Sequence, residues 1–412
     1  MKTNTSAILS GFQSILNRYL SHAIITLKLG KVLSRFIDKC VLAMLAIRGR
    51  INFLQLERYS GINEKTFRNN FSKKVDWLKL NTGLIDEMLP DADNRVIALD
   101  PAHISKSGKC TPGIGMYWSG SSGKSVYGLE LTAFAAIDSK SGDCLMLGAA
   151  QTLPEQDEKG NPTTMTQCYL KALKDRAKEL LRISTILVAD SFFSRKTFVL
   201  PAIDMGFTLV SKFPVNASLQ YLVNDAYLAQ RGTKRGYMPK YAGRVDVRHM
   251  DEMFAQEIRI ERVGTFHTAI VYSVSLKRNV RVVVGRIGDR ECVTLFCTDT
   301  DMDARRIVEI YRKRFRIEFG IRDAKQFTGL THNQSRNKDR INFAYNVSFF
   351  ARNVLQTEVK LLFPKYSVGK LKKIISDTLF ALKILETSGI NIDDCTLRSL
   401  SNIIIGYSGA VA

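Results

Sequence analysis

Arg95-Val-Ile-Ala-Leu-Asp100-Pro101 is a short, continuously apolar run that ends in a carboxylate. Thr185-Ile-Leu-Val-Ala-Asp190-Ser191 repeats the pattern further along the chain. Apolar runs of this length, bounded by chain breakers, read as strands buried on both faces. As neighbours in one sheet, the two would end about 5 Å apart, bringing Asp100 and Asp190 together at one edge. Two carboxylates at that separation repel, and one keeps its proton unless a cation lies between them. Taken singly, each aspartate reads first as an ordinary strand-to-loop junction; it is the two together with a third acid that favour a site.

A third acid comes from Tyr311-Arg-Lys-Arg314-Phe-Arg-Ile-Glu318-Phe-Gly-Ile-Arg322-Asp-Ala-Lys325. Read as a single helix, Tyr311, Arg314, Glu318 and Lys325 share a stripe about 60° wide, beside an apolar strip of Ile310, Ile317, Ile321 and Ala324. A carboxylate held among cations at the border of a core face points to a site for something polyanionic. A solvated basic helix with incidental charge pairs fits the same stretch. Asp100, Asp190 and Glu318 together make three hard oxygen donors, a set suited to Mg²⁺ or Mn²⁺. Two such ions can clamp the attacking and leaving oxygens of a phosphodiester displacement.

Around these runs the chain divides into five parts. Residues 1–92 read as helical and basic. Ile51 to Phe71 suggests helix, glycine turn, helix, the second helix starting near Asn63 with Arg68, Asn69, Asn70, Lys73 and Lys74 exposed. That pattern is compatible with a helix-turn-helix reader of DNA, and equally with any helical hairpin. Residues 93–210 read as three strands (one from Arg95, then Met116–Trp118 and Val126–Ile137 around the Ser119–Lys124 turn), a further run at Cys144–Leu147, a helix from about Met165 to Leu181, and the strand ending in Asp190. This is the element order of a ribonuclease-H-like α/β fold with a mixed sheet. Residues 211–300 open with a basic, flexible-looking excursion, Arg231 to Arg244. Four alternating runs follow, at Glu257–Val263, His267–Leu276, Arg281–Ile287 and Val293–Cys297, forming a β-rich insertion. Residues 301–350 complete the core with the helix carrying Glu318. Residues 340–412 read as helical and are expected to pack behind the sheet, with 351–412 as a C-terminal helical region.

The chain has 412 residues, 45% hydrophobic, with 60 Lys plus Arg against 39 Asp plus Glu and a formal net charge of +21. Such a field favours nucleic acid or an anionic surface. The most apolar N-terminal segment, Val41–Ile47, is too short to span a bilayer, so no membrane association is expected. Seven scattered cysteines without a CxxC pair indicate neither a disulfide framework nor a zinc site and suit a reducing cytoplasm. A two-carboxylate glycosidase is a poor fit to this charge and to a chain with only two tryptophans.

The spacing Tyr311-x2-Arg314-x3-Glu318-x6-Lys325 resembles the YREK signature of bacterial insertion-sequence transposases of the DDE type. Ala98-Leu-Asp100 with Ser105-Lys106, Val188-Ala-Asp190-Ser-Phe-Phe, and Leu209-Val-Ser-Lys212-Phe resemble other blocks of that family, over about residues 95–350. The resemblance implies a ribonuclease-H-like core with a β-strand insertion before the glutamate, and Asp100, Asp190 and Glu318 as the metal-binding catalytic triad. It implies that Tyr311, Arg314 and Lys325 grip phosphates near the cleaved end, with Lys106, Lys212 and Arg322 as weaker backbone contacts. The substrates implied are double-stranded terminal inverted repeats and target DNA, and the need to hold two ends together leads to the expectation of a homodimer on DNA. Some members excise through a DNA hairpin and stabilise a flipped base with a tryptophan on the strand before the YREK helix. Here that strand, Val293–Thr298, has none, and Phe296 is the only aromatic substitute. Two rival readings stand beside this one: a metal-dependent nuclease of the same fold without strand transfer, and a non-catalytic DNA-binding protein.

Overall fold

The computed structural model of the chain describes residues 5–120, 122–155, 162–231, 238–286, 292–389, 399–400 and 403–405. Its centre is a mixed sheet of twelve strands: β1 Arg95–Ser105, β2 Gly115–Ser119, β3 Lys124–Asp138, β4 Cys144–Gln151, β5 Ile186–Val188, β6 Thr208–Phe213, β7 Leu219–Tyr221, β8 Gly243–Arg244, β9 Gln256–Ile260, β10 Gly264–Ser273, β11 Arg278–Gly285 and β12 Val293–Cys297. β1 pairs antiparallel with β3 and parallel with β5, and β5 pairs parallel with β6 through the crossover helix Lys196–Asp204. The expected neighbours, the strand bearing Asp100 and the strand leading to Asp190, are thus adjacent. β1 runs on past Asp100 to Ser105, further than expected, because β3 pairs with it along its whole length. Pro101 lies beyond Ala98, the last β1 residue paired with β5, where a missing N–H donor removes nothing from that ladder.

The unbroken apolar runs have a direct cause. Alternate residues of β1 enter two different cores: Ile97 and Leu99 on one face, Val96, Ala98 and Ala102 on the other. The first face is covered by helices Met165–Lys174 and Lys196–Asp204, the second by Ala304–Lys313, Arg316–Phe327 and Lys338–Leu361. The helix expected over Met165–Leu181 is broken into Met165–Lys174 and Ala177–Leu180.

The four expected runs overlap β9 to β12, with β9, β10 and β11 each starting and ending earlier than read; β7 and β8, the latter at the end of the basic excursion, go beyond the reading, and all of these strands extend the central sheet. β12 pairs with β6, and β11, β10, β7 and β8 follow, with β9 on β10. Residues on both sides of the junction share the same cores, such as Phe213 stacked on Phe296 at 3.9 Å between ring centroids. Pairing covers the edge of β6 that would otherwise be open. Residues 232–237 of the basic excursion, Ser121 of the first turn, Ile287 and Cys395 lie outside the described residues.

The N-terminal helices Thr5–Leu27, Lys31–Ala46, Phe53–Ser60, Glu64–Asn70 and Trp77–Asn81 share one apolar core with Lys338–Leu361 and Val368–Thr387. Val368–Thr387 therefore packs on this helical layer rather than behind the sheet, and the 350/351 division falls inside a helix. In the helix-turn-helix segment, Gly61 adopts a φ of 71° and Asn63 caps the second helix through the Lys65 amide. Arg68, Asn69, Lys73 and Lys74 are exposed. Asn70 is buried instead, its amide turned back to the Thr66 carbonyl.

Lys338–Leu361 also protects a sheet edge. The Asn353 side chain accepts from the Met146 amide at 3.0 Å and donates to the Met146 carbonyl at 2.7 Å, and to Asn81 at 2.8 Å. Asn346 does the same to both backbone groups of Ala149. The side-chain amides act as a missing strand for β4. Asn353→Ala leaves buried backbone groups unpaired and is expected to cost about 2–4 kcal/mol in urea unfolding; a loss below about 0.5 kcal/mol would show that the edge does not need this pairing.

Candidate active site

Strand alternation decides where the two aspartates point. Asp100 lies in phase with Val96, Ala98 and Ala102, and Asp190 in phase with Val188, all in the layer roofed by Ile317, Ile321 and Ala324. The parallel register Ala98↔Val188, carried two residues further, sets Asp100 beside Asp190. Asp190 lies beyond the end of β5. Its carboxylate caps the turn Ser191–Ser194 by accepting the Phe192 amide at 2.9 Å, and its carbonyl accepts the Ser211 hydroxyl at 2.7 Å.

The roof is not the single helix read from the periodicity. It breaks into Ala304–Lys313 and Arg316–Phe327, where the amides of Arg314, Ile317 and Glu318 bond three residues back instead of four. Neither proline nor glycine marks the break. Tyr311 sits on the first helix, Glu318 and Lys325 on the second, and Arg314 at the junction.

That junction brings Arg314 between the acids. Its Nη2 donates to Glu318 at 2.7 Å, and its Nη1 stands 3.8 Å from Asp100, buried and without a hydrogen-bond partner. Tyr311 lies alongside, its ring 5.9 Å from the guanidinium. Burial pushes the Asp100 carboxyl up to about 8; Arg314 opposes this, while Glu318 and Asp190 add to it. Asp190 is raised as well, by burial first, with Arg314 opposing. Burial lowers the charge preference of Arg314, but Glu318 and Asp100 outweigh it, and its pKa rises. Asp100, Asp190, Glu318, Tyr311 and Arg314 are therefore one electrostatic unit. Lys325 borders it: its ammonium donates to the His103 carbonyl at 2.8 Å, and burial lowers its pKa against the pull of Asp100.

The remaining expected contacts are not gathered there. Lys106 donates to the carbonyls of Asn333 and Ser335 at 2.9 and 2.8 Å, tying the end of β1 to the loop after Phe327. Arg322 is exposed over the Phe319 ring. Lys212 lies half-buried on β6. Phe296 is fully buried, so it cannot stand in for a base-stacking tryptophan. Sequence reading missed the roof break and the roles of Ser211 and His103, which act through distant backbone atoms and carry no local signal.

A divalent ion fits the chemistry of this centre. The donors are hard carboxylate oxygens, and the charged form of Asp100, disfavoured first by burial and further by Glu318 and Asp190, is a form that a nearby cation would favour. Among the described residues, no three metal-donor side chains are already drawn together around a common point.

Residues 91–354 match the family model described as the transposase DDE domain. The match covers more than half of the chain. This protein belongs to the DDE transposases. Accordingly it is a metal-dependent enzyme that cuts and joins DNA in transposition. No individual curated protein matches the chain. No helix among the described residues of this transposase is long and apolar enough to cross a membrane.

A consequence for stability follows from Asp100. The folded protein keeps a proton there that the unfolded chain releases above about pH 4. Raising the pH from 4 to 8 therefore favours unfolding through this group. In EDTA, Asp100→Asn is expected to gain stability relative to the parent progressively across that range in urea unfolding. A difference that stays flat or shrinks with pH contradicts the electrostatic reading.

Proposed function

We propose that Asp100, Asp190 and Glu318 are the catalytic carboxylates of this transposase and hold its divalent ions, Mg²⁺ or Mn²⁺, two per site. The observation that supports this best is their gathering on one face of the sheet around Arg314. A bound divalent ion supplies Lewis-acid activation of water and of the scissile phosphate. The protein's own groups do the rest. The three carboxylates fix the reacting centre on rigid strands and a helix, and the buried setting strengthens each charge. Arg314, held between Glu318 and Asp100 beside Tyr311, would offer its guanidinium to the substrate. It and the Tyr311 hydroxyl meet phosphate oxygens at the cleaved end. Lys325 positions the β1 side of the site through His103 and adds positive charge.

In this reading the chain is a bacterial insertion-sequence transposase with a YREK motif and a ribonuclease-H-like core built on β4, β3, β1, β5 and β6. Residues 1–92 supply a helix-turn-helix that reads terminal inverted repeats through Arg68, Asn69, Lys73 and Lys74. Arg322 and Lys212 contact the DNA backbone further out. Two chains hold the two ends, and the protein works in the bacterial cytoplasm on the nucleoid. The released 3′ hydroxyl attacks target DNA at the same site, so no covalent protein–DNA bond is required.

Glu318→Gln is expected to lower cleavage of end DNA at least about a thousandfold while end binding in a gel-shift assay stays within about threefold. Normal cleavage by this variant refutes the assignment. Tyr311→Phe keeps the ring and removes the hydroxyl. It is expected to retain cleavage within about tenfold, because the tyrosine is no nucleophile; complete loss, with a trapped protein–DNA adduct in the parent, would point to recombinase chemistry instead.

A further inference from the structure

Beyond the catalytic layer, β2 and β3 continue as a two-stranded hairpin whose outward face is unusual. Its turn carries Gly120 and Gly123, the latter at a φ of 60°. Met116 and Trp118 are each 63% exposed, and Tyr127, directly across from Met116, is also exposed. The alternate residues Tyr117 and Val126 turn inward. Three large apolar side chains on one exposed face of a hairpin contribute little to folding and mark a contact surface.

The register fixes which way this surface faces. Trp118 pairs with Ser125 and Met116 with Tyr127, while Asp100 pairs with Ala133. Ser125, Tyr127 and Ala133 are in phase along β3, so Met116, Trp118 and Tyr127 project from the same face of the sheet as Asp100. Eight residues of β3 separate the Trp118 and Asp100 rungs, about 27 Å at roughly 3.4 Å per residue. That is about eight nucleotides of a strand rising 3.4 Å per step.

Charge argues for the occupant. Residues 101–129 contain Lys106, Lys109 and Lys124 and not one Asp or Glu. Lys109 is exposed, and the Tyr127 hydroxyl donates to the Gly108 carbonyl at 3.0 Å, holding the Lys106–Lys109 loop against the hairpin; Lys124 is exposed at the hairpin tip, in phase with the alternate set of β3. An aromatic and thioether face with the Lys109 loop held beside it, on a stretch of chain without an acid, suits nucleic-acid bases stacked on side chains while the backbone meets cations.

We propose that the β2–β3 hairpin is a second DNA contact of this transposase, on which Trp118 stacks against an unpaired or unstacked base of the strand leading away from the cleavage centre. The distance to Asp100 uses the catalytic assignment made above, but base stacking itself does not depend on it.

Because Trp77 is only 5% exposed, Trp118 is the tryptophan a soluble quencher reaches. The test uses the full chain in EDTA, so that binding is read without cleavage, with a duplex carrying a single-stranded thymidine tail and a blunt duplex of equal length. The tailed duplex is expected to quench Trp118 emission and shield it from acrylamide. Trp118→Ala is expected to weaken tailed-duplex binding about tenfold and blunt-duplex binding less than about twofold, whereas Trp118→Phe restores the tailed affinity to within about threefold. Met116→Ala gives a smaller loss in the same direction. Unchanged acrylamide access with tailed DNA, or parental tailed affinity in Trp118→Ala, overturns the proposal. So does shielding that grows with protein concentration alone, which would assign the face to a second protein chain. Cleavage that survives Glu318→Gln would strike the catalytic assignment and leave this result standing.

Discussion

Carboxylates that share a poorly solvated face repel one another unless a cation lies among them. This constraint organises the centre of the molecule. Asp100 and Asp190 are brought to one face by parallel pairing and strand alternation, and Glu318 is brought over them by the roof helix. Arg314 answers the repulsion by bridging Glu318 and Asp100, yet Asp100 remains raised to about 8 and one guanidinium nitrogen stays unpaired. Burial is the first cause of that rise, and the charged form of Asp100 is left short of compensation in this setting. The metal requirement of a DDE transposase is the chemical counterpart of that shortfall.

The surrounding fold keeps these groups in place. β1 and β5 are buried on both faces, so their register cannot slip without moving whole rows of apolar side chains into the wrong core. β4 is held by the Asn346 and Asn353 amides, which tie the sheet to the helix shared with the N-terminal layer. The insertion strands close the other side of the core by pairing with β6. A helical layer and a β-rich insertion read as separate parts are in this way joined to the catalytic sheet through shared apolar packing.

The aspartate strands were legible because uninterrupted apolar runs such as Val96–Leu99 have few alternatives to burial on both faces. The spacing of Tyr311, Arg314, Glu318 and Lys325 was legible too, but its geometry was not. Helical periodicity has no term for a lapse of backbone bonding that lacks a proline or glycine, and this lapse is what turns Arg314 toward the acids. Lys106 looked like a free cation beside the site, whereas its partners are carbonyls at 333 and 335, invisible to local reading. Phe296 lies in a strand buried at every position, and its packing on Phe213 follows from the β6–β12 pairing, a tertiary choice. In β2, each alternating set carries an aromatic residue, and the more apolar set, Met116 and Trp118, is the one that faces out, so local pattern alone points the wrong way.

Direct binding of Mn²⁺, followed by the loss of its free-ion electron paramagnetic resonance signal, tests most closely whether the three acids form one cation site. The unmodified protein is expected to bind the ion, and Asp100→Asn, Asp190→Asn and Glu318→Gln each to weaken binding markedly while remaining folded. Equal binding by all four proteins, or none by the unmodified protein with DNA present, would contradict a shared site.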